Sequence, residues 1–216
     1  MPAHAGFPMN LYVVTYRADE HGCPLVLKGD LNHDWEFDTF DPNPESAEIR
    51  HSYTLRSKNP LIDFDFWNDR SIGSARFVEI CRRHDAQIRT VPLAIIQSNK
   101  KRTAKDYFYV LWSDWLSIID LDASDITLDR DLETGQVIHH RQFPAVPRCE
   151  AVRHFVVDPA RLTDRQVFKC IDLDFELVCT EKFRDDCEAA GLSGLDFQPL
   201  DSFQRIPWFA YGNERA

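Results

Sequence analysis

Glycine is scarce in this chain, eight in 216 residues, and the glycine-built ligand loops are missing with it. There is no G-x-x-x-x-G-K-S/T and no G-x-G-x-x-G, so the usual backbone cradles for phosphate are absent, and no G-x-S-x-G supplies a nucleophile elbow. H-E-x-x-H and C-x-x-C are also lacking, which removes the common zinc and dithiol patterns. No apolar run approaches the roughly 18 residues of a membrane helix. The start, MPAHAGFPMNLYVVTYR, has neither a basic n-region nor a long apolar h-region, so the expected location is cytoplasmic. Cys23, Cys81, Cys149, Cys170, Cys179 and Cys187 are scattered, without the density of a disulfide framework, and read as buried free thiols. Positive charge is in deficit: Lys and Arg total 25 against 35 Asp and Glu, a net charge of −10. That balance disfavours a nucleic-acid backbone and suits a basic protein partner or simple solubility.

What is present is a large supply of core-forming side chains. Fifteen Phe, six Tyr and five Trp within a 44 % apolar composition mark a globular protein. The length suits one compact domain or two small ones, with about 70 % of the unfolded surface buried on folding. One short acidic segment is written twice, as IDFDF at 62–66 and IDLDF at 171–175. Downstream of each runs the spacing S/T-x-x-F-x-x-x-C, Ser74 to Cys81 and Thr180 to Cys187, and each unit closes on Pro-Leu, at Pro92-Leu93 and Pro199-Leu200. The echo predicts two strand–helix–strand half-repeats, at about 62–93 and 171–200, within one α+β unit over 61–216. Residues 1–60 then form an N-terminal strand and loop region belonging to the same domain.

Alternation in both copies predicts half-buried strands with Ile62, Phe64 and Phe66, or Ile171, Leu173 and Phe175, turned inward. Asp63, Asp65, Asp172 and Asp174 would then face water. Ser74 is placed to cap a helix whose Phe77, Ile80, Cys81 and His84 fall on one face, ending near Asp85. Thr180 caps the second helix, with Glu181 in its first turn. Gly191 is expected in the left-handed conformation beyond that helix, folding Leu192 back towards Cys187. Leu11–Tyr16 reads as a strand, and Tyr107–Trp112 as a strand buried on both faces, interrupted at Ser113-Asp114. Phe155–Val157 reads as a strand stopped by Asp158-Pro159. Residues 30–59, with Pro42 and Pro44, read as loops with short extended pieces. Few helices among many strands, without regular alternation, predict an α+β fold on a mixed, largely antiparallel sheet.

Chemistry-bearing candidates are sparse. Asp63, Asp65, Asp172 and Asp174 would organise a metal-dependent hydrolase if they converged on a hard cation, but acidic residues on the wet side of a strand have the same pattern. The scaffold reading is preferred. His139-His140 and His21-x-Cys23 are the nearest approaches to ligand pairs but read as surface or turn residues, and His84 reads as a satisfied core histidine. Trp112 and Trp115 are read as sheet residues in preference to a stacking platform. An acidic stretch, Asp120, Asp122, Asp125, Asp129, Asp131 and Glu133 against Arg130 alone, is the candidate interaction face. A basic cluster runs from Asn99 to Lys105.

The order Asp63-Phe64, Ser74-x-x-Phe77, Val91-Pro92, Tyr107 to Leu121, Val156-Val-Asp-Pro159, Phe168 and Val178-Cys-Thr-Glu-x-Phe183 to Gly194-Leu-x-Phe197 resembles bacterial immunity protein family eleven. The likeness runs from roughly residue 60 to 200, and its motifs are structural. It implies a non-catalytic protein, encoded beside a toxin of a polymorphic or contact-dependent competition system, that binds and neutralises the cognate toxin. It implies no cofactor and no shared catalytic residues; the net charge and the lack of a long apolar run add the expectation of no nucleic acid and no membrane among the partners. A regulatory or assembly module within a larger complex is the further alternative.

Overall fold

The computed structural model describes residues 10–68 and 71–207. The leader reading of the first nine residues, and His4, lie outside them. Among the described residues are two α-helices and thirteen strands, mostly antiparallel, the α+β architecture expected.

Six strands form one sheet, in the order β2 (Gly29–Leu31), β3 (Tyr53–Ser57), β6 (Ile88–Ile96), β7 (Tyr107–Trp112), β5 (Ile72–Ser74) and β4 (Phe66–Trp67). Five form the other: β13 (Leu195–Pro199), β1 (Leu11–Tyr16), β12 (Glu176–Thr180), β11 (Val167–Cys170) and β8 (Trp115–Leu116). A separate two-stranded arm pairs β9 (Asp125–Leu128) with β10 (Cys149–His154). Helix α1 (Ala75–Arg83) follows β5, and α2 (Glu181–Ala189) follows β12.

The two sheets share one local arrangement, a half-repeat of strand, helix and strand around a central strand. In one sheet β5 and β6 flank β7, each antiparallel to it, with α1 between them in the chain. In the other, β12 and β13 flank β1 in the same way, with α2 between them. Each unit is led in by a hairpin, β4–β5 or β11–β12. The middle strand of the second unit comes from the far N-terminus, so residues 11–16 are built into the sheet between two C-terminal strands.

Both helices begin as their sequences dictate. The Ser74 hydroxyl accepts from the Phe77 N–H at 3.2 Å and the Thr180 hydroxyl from the Phe183 N–H at 3.5 Å, which satisfies a donor the helix itself leaves unpaired. Both also end alike. Gly191 sits at φ +63°, its N–H bonded to Glu188 O, and the Leu192 N–H bonds to Cys187 O. Asp85 takes the same left-handed role after α1 at φ +53°, with Asp85 N–H to Arg82 O and Ala86 N–H to Cys81 O.

The helices pack between the sheets. Phe77 and Phe183 are fully buried and meet edge to face at 6.3 Å, with Cys81, Cys187, Val14, Val110 and Leu177 around them. Each phenylalanine contributes about 1.5–3 kcal/mol by leaving water. His84, at the end of α1, reaches Asp186 on α2 through Nε2 at 2.7 Å, the satisfied core histidine expected. The outer faces of the sheets have their own cores. One gathers Trp35, Phe37, Tyr53 and Tyr109; the other gathers Ile118, Ile119, Phe155, Phe168 and Val178, and holds the arm through Ile126 and Leu128. Alternation along β7 divides its side chains between two of these cores, Tyr107, Tyr109 and Leu111 on one side, Val110 and Trp112 on the other. At Ser113-Asp114 the chain leaves the six-stranded sheet and continues as β8 in the five-stranded one. All six cysteines are buried and free.

Three expectations are corrected. IDFDF is extended loop until Phe66, and IDLDF is a 3-10 turn, Ile171–Leu173, closing the β11–β12 hairpin, so neither copy is a strand through its aspartates. Phe155–Val157 follows β10 without joining a strand, beyond one bridge from Val157 to Ile119. His140 is buried, not superficial, beside Phe175 at 5.0 Å.

Candidate interaction surface

The four aspartates come apart into three places. Asp65 is buried, where alternation had put it in water, and its carboxylate is saturated. It accepts from the Ser74 hydroxyl at 2.6 Å, the Ser193 N–H at 2.9 Å and Lys105 Nζ at 2.9 Å. The Asp65 N–H in turn donates to Ser193 O at 2.7 Å. One carboxylate therefore orients the cap of α1 and clasps the loop that follows α2, joining the half-repeats. Burial pushes the Asp65 carboxyl up, but the Ser193 N–H, the Ser74 hydroxyl and the Lys105 ammonium overcome it and hold the group below the usual carboxylate range. Asp63 stays at the surface and shares Lys105, at 3.1 Å.

Asp172 is buried 1 % exposed among apolar side chains and works on different partners. It accepts from the Ser117 hydroxyl at 2.7 Å and from the Ile118 and Ile119 N–H groups at 2.6 and 3.0 Å. Two backbone donors that no strand satisfies are thus paired. Asp174, two residues on, turns outward to Arg205 at 2.7 Å. The buried member is the second aspartate of one copy and the first of the other, so the echo in sequence is not an equivalence of position. Among the described residues no group of three or more His, Cys, Asp or Glu side chains is placed to hold a metal ion. Asp65 and Asp172 serve as backbone and cap acceptors, while Asp63 and Asp174 pair with Lys105 and Arg205.

The acidic stretch lies on the arm. Between β9 and β10 the chain makes a long excursion, carried by a small hairpin in which Arg130 bridges Val137. Its turn is built on Asp131, which accepts from the Glu133 and Thr134 N–H groups at 3.1 and 2.7 Å and from the Thr134 hydroxyl at 2.8 Å. The Thr134 backbone bond and hydroxyl hold the Asp131 carboxyl below its ordinary range. Gly135 closes the turn at φ +70° with open space around it. At the tip Leu132 is fully exposed, 102 % of the reference area.

Beside this hairpin opens a broad groove of about 1520 Å³, walled by Ile126, Leu128 and Ile138 and bordered by Asp122, Asp129, Asp131 and Glu133. Four of the six candidate acids therefore line one groove. Asp120 and Asp125 do not: Asp120 accepts from the Asp122 and Ala123 N–H groups at 3.1 Å each, and Asp125 pairs with Arg153 at 3.3 Å. The groove's arginines are already committed, Arg148 to Asp129 at 3.6 Å, Arg205 to Asp174 and to Cys149 O, and Arg130 to Gly135 O. Asp122, Glu133 and Glu150 form no ion pair among the described residues. The groove thus presents an excess of negative charge around an apolar floor. Leu132 was not singled out in sequence, although a lone Leu between two acids on an Asp-x-x-x-Gly turn is a readable signal of an exposed apolar tip.

The chain matches the family model described as Immunity protein family (Imm11) over residues 20–202. It belongs to that family. The match begins well before residue 60, so the N-terminal loops and β2 and β3 are part of the family's extent, where the resemblance read from sequence had started near residue 60. No curated protein matches the chain.

Proposed function

We propose that the protein is a non-catalytic immunity protein that neutralises one cognate toxin by covering its active site or substrate groove. The observation that carries this reading is the β9–β10 arm, whose unpaired Asp122 and Glu133 flank an apolar groove beneath the exposed Leu132. Family membership supplies the class of partner. A preformed face of this kind fits an interface of about 1,600 Å², within which Leu132 serves as the apolar anchor and the acids steer. The partner is a basic toxin of a polymorphic or contact-dependent competition system, delivered as a secreted effector, and the encounter takes place in the cytoplasm. No cofactor takes part.

Association kinetics test the steering. With the toxin domain encoded beside the gene, the rate should fall at least tenfold as salt rises from about 0.02 to 0.5 M. Asp122→Lys with Glu133→Lys should lower the low-salt rate by about the same factor and remove most of the salt dependence. A rate indifferent to salt would overturn the electrostatic part of the proposal.

A further inference from the structure

The two lead-in hairpins face each other through described residues at their ends. Asn68 and Ser71, from the β4–β5 turn, face Asp174, Phe175 and Glu176 of the β11–β12 hairpin across a small cavity of about 140 Å³, completed by Thr39, Phe40 and Lys169. Asn68 Nδ2 crosses it to Glu176 Oε2 at 3.0 Å, so the two sheets are tied at its edge. Ser71, Asp174 and Phe175 all hold positive φ, 46°, 57° and 71°, which non-glycine residues rarely adopt. Phe40 and Phe175 form an aromatic wall with centroids 5.1 Å apart.

Lys169 is the unusual member. It is 8 % exposed, on the central part of β11, and lines this cavity. Among the described residues its ammonium has no hydrogen bond or ion pair. The two nearby carboxylates are engaged elsewhere, Glu176 with Asn68 and Asp174 with Arg205. The three donors of the Lys169 ammonium have no side-chain partner among the described residues and are left to whatever occupies the cavity. Burial brings its pKa down to about 8, with Glu176 acting in the opposite sense.

We propose that this cavity is a binding site for a small monocarboxylate, whose oxygens pair with the Lys169 ammonium while its apolar end lies against Phe40 and Phe175. A flat, singly charged acid fits where a phosphate does not. Asp174 and Glu176 on the rim repel a dianion more strongly than a monoanion. Ser71 and Thr39 bring hydroxyls to the lining, and the position between two half-repeats is where ligand pockets commonly form. No residue lines both this cavity and the groove of the arm, though Arg205 of the groove pairs with Asp174 of the cavity, and the proposal does not rest on the toxin-binding reading.

Reductive methylation of the intact protein with formaldehyde and cyanoborohydride, followed by peptide mass spectrometry, reads the state of Lys169. Acetate or propionate at ten times its dissociation constant should slow modification of Lys169 about tenfold and leave exposed Lys100 and Lys101 unchanged. Acetamide and chloride should do neither. Acetate should also raise the melting temperature of the wild type and leave Lys169→Met unmoved; Phe40→Ala, which alters only a partly exposed wall, should weaken the protection in a folded protein. Equal protection by acetamide or chloride, no protection by any of them, or an acetate-dependent shift that persists in Lys169→Met would overturn the assignment.

Discussion

Asp65→Ala should destabilise the fold by about 3 kcal/mol, a fall of roughly 6–12 °C in melting temperature for a chain of this size. The substitution strands the Ser193 N–H, frees the Ser74 hydroxyl that caps α1, and leaves Lys105 without its buried partner. Breaking a buried pair costs about 3–5 kcal/mol when the surviving charge stays buried; Lys105 is 29 % exposed and regains water, which places the loss at the lower end. The acid limb of stability carries the same signature. The folded pKa of Asp65 lies below its unfolded value, so its contribution is complete above an unfolded pKa of about 4 and disappears as the pH falls through the folded one. Chemical denaturation at pH 7 and at successively lower pH should show the wild type losing stability faster than Asp65→Ala, the gap between them closing.

The second large effect is expected at Asp172. Replacement by Ala removes the acceptor for two backbone N–H groups and one hydroxyl in a region where water does not replace it. Each stranded backbone donor costs about 1–3 kcal/mol, so a loss of about 3 kcal/mol is expected, with the denaturant slope unchanged. Asp172→Asn should lose about half as much, since one oxygen remains while the amide turns a donor towards a donor. If this carboxylate were instead a catalytic ligand, its removal would leave the stability nearly untouched. Equilibrium urea unfolding of the three proteins separates the two.

Helices, caps and the doubly buried β7 were legible in sequence because their signals are local. Ser74 and Thr180 stand three residues before a core phenylalanine, and Gly191 stands where a helix needs a left-handed residue. The aspartate segments misled for a physical reason. Alternation of apolar and acidic residues is produced by a half-wet strand, and equally by a loop whose apolar side chains enter the core while its carboxylates bind backbone. Asp172 finds its donors at Ile118 and Ile119 and Asp65 finds one at Ser193, all distant in the chain, and no local pattern encodes such meetings. Lys169 was overlooked for a similar reason. In Val167-Phe-Lys-Cys170 it is a single polar residue in an apolar strand, and only the hairpin of the opposite half-repeat makes a cavity around it. The acidic stretch was found by its charge alone; its division into groove-lining Asp122, Asp129, Asp131 and Glu133, with Asp120 and Asp125 set apart, is a property of the arm.

The proposed protection by the arm is tested most directly by growth. Cells expressing the toxin domain encoded beside the gene should survive when the wild-type chain is coexpressed. They should die when it carries Leu132→Asp and Glu133→Lys, two substitutions at an exposed turn that leave the melting temperature within about 1 °C. Full protection by that variant would show that the arm is not the binding face, and no protection by the wild type would contradict the immunity reading itself.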